Sequence, residues 1–123
     1  MNIEELYTTE THEEGSDLTI KDHAGKDTKL IITVRGYDSP TYQKALKKQK
    51  MLYTKAVMKN ENIDESPFII EALVSAIIGW KGVERSCTPT AISELLTKAP
   101  AVREQIDVFN SDRANFTKPK SKK

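Results

Sequence analysis

PFIIEALVSAIIGWKGVE, residues 67–84, holds the most apolar run of the chain and its only tryptophan, set between Gly79 and Gly82. How this stretch folds decides what the rest is arranged around. Ser66 supplies a hydroxyl suited to an N-cap and Pro67 a ring suited to the first helical position, so the spacing predicts a helix over 67–79. Phe68, Ile69, Ile70, Ala72, Leu73, Val74, Ala76, Ile77 and Ile78 leave only Glu71 and Ser75, four residues apart, as a polar stripe. A helix apolar on nearly every side is central in its domain, or divided between core and interface. Gly79 then ends the helix in a left-handed turn that folds the Trp80 indole back onto it. Tryptophan is both a core anchor and a frequent interface hot spot. Residue chemistry favours core packing here, and leaves open a mixed role in which one ring face packs while the N–H points outward.

Upstream, Leu18–Lys21 and Lys29–Val34 are short β-rich runs around His23-Ala24-Gly25-Lys26-Asp27, which reads as a hairpin. An isolated hairpin is marginal in water, so it needs helices to cover its apolar face. Ser39-Pro40 and Thr88-Pro89 repeat the hydroxyl–proline device, and Ala99-Pro100 repeats the proline without a good cap. They predict helices over 40–59, 89–98 and 100–115. In the first of these, Tyr42, Ala45, Leu46, Leu52, Tyr53, Ala56 and Val57 form a broken apolar stripe, with lysines over much of the remainder. The expected fold is therefore α+β: a mostly helical single domain in which an N-terminal β-hairpin precedes about four helices. At 123 residues the chain can bury one core without metal or disulfide staples. Residues 17–116 form this domain, flanked by a flexible acidic arm over 1–16 and a basic disordered tail over 117–123.

The net charge is close to balance, 19 Lys+Arg against 18 Asp+Glu, without the basic field of a dedicated duplex binder. The charges are nevertheless polarised. Glu4, Glu5, Glu10, Glu13, Glu14 and Asp17 share the N-terminal segment with no base, whereas Lys44, Lys47, Lys48, Lys50, Lys55 and Lys59 lie in a stretch free of acids. Such polarity favours docking between opposite surfaces, within or between chains. The lysine helix, with Tyr42 and Tyr53, has a nucleic-acid reading. A solvated face is favoured over it, because arginine, the better phosphate fork, is absent from the helix. Single Cys87 has no internal disulfide partner, and His12 and His23 fall in the arm and a turn, so neither nucleophilic catalysis nor zinc ligation has its residue set. Gly79-Trp80-Lys81-Gly82 is neither a Walker loop nor a dinucleotide fingerprint. The expectation is no enzyme, no cofactor and no metal. Phe68–Ile78 falls short of the roughly 20 residues that cross a bilayer. With no secretory signal pattern at its start, the chain reads as cytoplasmic.

The order of these parts resembles the tail assembly chaperones of long-tailed bacteriophages. The resemblance spans roughly residues 17–116. It rests on an apolar helix running into Gly79-Trp80-Lys81-Gly82-Val83-Glu84, a capped helix ending in Leu95-Leu96, and a last helix starting at Pro100. Many relatives have an Asp-Gly turn where this chain has Glu84-Arg85-Ser86-Cys87, so the resemblance implies a different local loop shape here. The resemblance implies a protein of the host cytoplasm that binds the tape measure protein, keeps it soluble, helps recruit tail tube subunits and is missing from the finished virion. Self-association is a further expectation; a membrane partner is not, and nucleic acid is disfavoured. Phe68, Ile69, Leu73, Ile77, Trp80 and Val83 are the expected partner-binding residues. The rival readings are a structural tail or neck component of the virion, and a nucleic-acid-binding accessory protein using the Lys44–Lys59 helix.

Overall fold

A computed structural model describes residues 2–117. The basic tail read from the sequence lies, apart from Thr117, outside the described residues. The elements run α1 (Thr9–Glu14), β1 (Ser16–Lys21), β2 (Asp27–Val34), α2 (Pro40–Lys59), α3 (Ser66–Ala76), β3 (Ile77–Lys81), α4 (Pro89–Lys98) and α5 (Pro100–Ser111), with single 3-10 turns at Ile3–Leu6 and Arg113–Phe116. The chain is a small single-domain α+β fold, mostly helical, with an N-terminal hairpin.

The predicted helix over 67–79 stops three residues early. Ile77–Lys81 instead forms a third strand, giving an antiparallel sheet of order β1-β2-β3. Two causes act together. Ile77 and Ile78 are β-branched and Gly79 is a poor helix former, and a two-stranded hairpin gains by pairing its free edge. Ile32 faces Trp80 and Thr33 faces Gly79, but Val34 faces Ile77, so Ile78 bulges out of register. The bulge separates two identical neighbours: Ile77 is 6% exposed and Ile78 45%. Gly79 is therefore not a helix terminator. The left-handed glycine of this stretch is Gly82, with φ +92°.

Ser39 and Thr88 cap α2 and α4 as their sequence positions predict, accepting from the Tyr42 and Ala91 N–H groups at 3.1 Å each. Ser66 does not cap α3; it lies inside the helix, and Asp64 Oδ1 accepts from its N–H at 3.0 Å. Packing follows chain order, α2 on α3, α3 on α4 and α4 on α5, and α5 closes back on β1 and β2. The core between them is built from Ile20, Ile32 and Val34 of the sheet and Leu73, Ala76, Leu96 and Ile106 of the helices, none more than 2% exposed. Each fully buried Leu or Ile contributes about 1.5–3 kcal/mol.

The acidic arm is a correction as well. Residues 2–7 are exposed throughout, whereas α1, with Thr9 and Glu10 on its open side, packs between α2 and the Arg113–Phe116 turn. His12 is fully buried, its ring centroid 4.7 Å from that of Phe116. The segment is held by an imidazole and by polar bonds from Glu13, which apolar content does not register.

Candidate functional site

α2 has 20 residues, about 30 Å of helix. It packs chiefly on α3, with α1 beside its start, and only Tyr42 is buried. The rest of the helix is held by half-buried side chains at one seam. There the Tyr53 and Phe68 rings meet edge to face, centroids 5.5 Å apart. An open cleft of about 290 Å³ lies along this seam, walled by Leu46, Tyr53, Phe68 and Ile69, with Gln49, Lys50, Thr54 and Glu65 at its margin. Ile69 is 42% exposed at its edge.

A second recess, of about 420 Å³, lies between the sheet and α4, among Leu30, Trp80, Val83, Ala91 and Leu95. Trp80 forms one wall and is half-buried. Its indole N–H donates to the Arg85 carbonyl at 2.8 Å, so the N–H is directed into its own loop rather than outward. Arg85 and Lys98 both pair with Glu94 at the rim. Cys87 sits beside Trp80; burial pushes its thiol up, against a smaller opposing effect of the Trp80 backbone N–H, which leaves a protonated, weakly nucleophilic sulfur.

The six expected partner-binding residues thus separate. Leu73 and Ile77 are corrections: at 1% and 6% exposure they belong to the core and offer a partner no surface. Phe68 and Ile69 share the α2–α3 cleft, while Trp80 and Val83 share the recess at α4. No family model, curated protein or solved structure matches the chain. What the two recesses can do must come from their own chemistry, and both are apolar pockets suited to aliphatic or aromatic side chains. Sequence reasoning missed Leu46 and Tyr53 as cleft walls. Their seven-residue separation, two turns along one helix face, is the signal that points to them.

Among the described residues no group of three or more His, Cys, Asp or Glu could hold a metal ion. No described helix is long and apolar enough to cross a membrane. His23 lies in the β1–β2 turn and is exposed. His12 Nδ1 accepts from the Asp38 N–H at 2.8 Å, which leaves the proton on Nε2; that atom faces Asp38 Oδ2 at 3.8 Å without a hydrogen bond. Asp38 is gripped in turn by the Arg113 guanidinium, at 2.7 and 2.9 Å, and by the Thr8 hydroxyl at 2.6 Å.

Burial lowers the His12 pKa below its ordinary 6.5 despite the nearby Asp38. The Arg113 hydrogen bonds, helped by Thr8, pull Asp38 from 3.8 down to about 2 against the cost of burial. Both shifts have the same consequence in acid. Below pH 6.5 the unfolded chain takes up a proton that folded His12 resists, and stability present above that pH declines as pH falls. Between pH 3.8 and about 2, protonation of Asp38 removes a second contribution. Melting temperature measured from pH 8 to 3 is expected to begin falling near 6.5 and to drop further below 4. A flat profile between pH 8 and 5 would exclude the His12 contribution.

Proposed function

We propose that the chain is a non-enzymatic tail assembly chaperone of a long-tailed bacteriophage. In the host cytoplasm it holds an apolar helix of the tape measure protein soluble until tail tube subunits enclose it. The α2–α3 cleft carries the reading. It is an apolar recess of about 290 Å³ with an exposed isoleucine at its edge, on a helical hairpin whose long helix is only lightly covered. A partner helix inserting one large apolar side chain, with neighbours at three- and four-residue spacing, suits such a recess. The resemblance in element order supplies the identity of that helix.

Co-expression with the tape measure protein tests this. The wild-type chain is expected to keep its partner soluble. Ile69→Asp, at a position 42% exposed in the first turn of α3, is expected to cost about 1–2 kcal/mol, which leaves the domain folded. It should nonetheless cut the soluble partner about tenfold, the equivalent of 1.4 kcal/mol of binding. A variant as effective as wild type would remove the cleft from the reading, and a wild-type chain that rescues nothing would remove the chaperone role. Purified virions distinguish the structural rival, since an assembly factor is absent from their mass spectra.

One observation favours the nucleic-acid reading: the α2 lysines form no ion pairs among the described residues. That reading requires salt-dependent DNA or RNA binding, abolished when Lys44, Lys47, Lys48 and Lys50 become glutamate.

A further inference from the structure

Two exposed surfaces of opposite charge stand on this fold, and each carries apolar side chains at its centre. The first is the N-terminal turn. Ile3, Leu6 and Tyr7 are 62%, 62% and 64% exposed, with Glu4 and Glu5 between them. In this 3-10 turn Ile3 and Leu6 eclipse on one side, Tyr7 follows just past its end, and Glu4 and Glu5 flank them. The second is the face of α2 turned away from α3. Lys44, Lys47, Lys48, Met51, Lys55 and Met58 fall within about 100° of one another around the helix. Met51 is 59% exposed and Met58 82%, and α2 contains no acidic residue.

We propose that the chain pairs with a second copy of itself, the Ile3–Tyr7 segment of each copy lying on the lysine–methionine face of the other's α2. Charge complementarity selects the occupant. Glu4 and Glu5 meet a face of four lysines, while Ile3, Leu6 and Tyr7 cover the methionines, whose flexible thioethers adapt to an irregular ligand. The chain's own segment fits less well. Thr8 is tied to Asp38 close to the start of α2, and the five residues before it span at most about 17 Å. Met58 lies about 27 Å along the helix from Pro40. A second copy can lie along the whole stripe, and a two-fold arrangement makes every contact twice. Nucleic acid would use the same lysines but gives the five exposed apolar side chains nothing to do. The pairing face lies on the opposite side of α2 from the cleft seam, so this inference does not rest on the chaperone reading.

Analytical ultracentrifugation of the full chain tests it. A monomer–dimer equilibrium with a Kd on the order of 10 µM is expected, weakening at least about tenfold between low and high salt. Glu4→Lys with Glu5→Lys, and separately Lys44→Glu, Lys47→Glu, Lys48→Glu and Lys55→Glu together, are each expected to leave a folded monomer, because all six positions are exposed. Mixing the two variants should restore the dimer, since each arm then faces a complementary helix in both directions. Deleting residues 1–7 should give a monomer of unchanged melting temperature. A wild-type chain that stays monomeric at millimolar concentration overturns the proposal. A dimer that survives both charge reversals, or a mixture that fails to pair, overturns the assigned surfaces. A fluorescent oligonucleotide included as a probe should stay free; its tight capture by a monomeric chain would hand the lysine face to nucleic acid instead.

Discussion

Deleting residues 1–15 is expected to destabilise the protein by about 4 kcal/mol or more, whereas deleting only residues 1–7 leaves the monomer's stability unchanged. The contrast follows from what each piece touches. Residues 8–15 contribute the fully buried His12 ring, and its loss uncovers Phe116, itself 1% exposed. Cutting away a buried ring typically costs about 3–5 kcal/mol. The same deletion takes the partners of three groups in the loop before α2: the Gly36 N–H loses the His12 carbonyl at 2.9 Å, the Asp38 N–H loses Nδ1, and the Ser39 hydroxyl loses Glu13 at 2.5 Å. Ser39 is the cap of α2, so the damage reaches the longest helix. Against a total stability of about 5–15 kcal/mol, such a loss leaves a chain close to unfolding at 37 °C. Urea denaturation at low protein concentration is the measurement. Equal midpoints for the two truncations would show that α1 is an ornament on the domain rather than part of it.

α1 also shows where the sequence could be read and where it could not. Helices with a proline at the first position and a serine or threonine before it, α2 and α4, were legible to the residue, because the capping signal is local. The hairpin was legible too, since β-branched runs around a glycine turn need no distant information. α1 was not, because what secures it is bonding to residues about 25 positions away and a ring more than 100 positions away. β3 was not, because an apolar run of this kind satisfies a helix and a strand equally; the free edge of β2 decided. The candidate site suffered the same ambiguity. A single helix over 67–79 would carry Ile69, Leu73 and Ile77 at four-residue spacing on one face, whereas the turn into β3 sends Ile77, with Leu73, into the core and leaves Ile69 and Val83 outside.

Gly82→Ala and Gly79→Ala are expected to act in opposite directions, and the pair separates a third strand from a helix end. Gly82 has φ +92°, a conformation that costs an L-residue about 1–3 kcal/mol. A Cβ built there would also run into the Lys29 carbonyl oxygen, with the Lys29 carbonyl carbon only 2.7 Å away. That neighbour is backbone at β2, and it cannot move aside without disturbing the pairing of Ile31 with Lys81. Strain and displacement together put the loss at about 3 kcal/mol or more. The turn they disturb also carries Val83 toward the recess and Arg85 toward the Trp80 N–H. Trp80 fluorescence should therefore shift as that half-buried wall loosens. Gly79 has no positive φ, and an added Cβ there meets nothing within 4 Å. Replacing a strand glycine by alanine removes unfolded-state freedom, so Gly79→Ala should be neutral or stabilise by up to about 1 kcal/mol. If Gly79 instead closed a helix in the left-handed region, alanine there would be the costly change and Gly82→Ala the mild one. Thermal melts of the two variants decide between these structures, since a destabilised Gly79→Ala beside a wild-type-like Gly82→Ala would dismantle β3, the bulge at Ile78 and the recess built on Trp80.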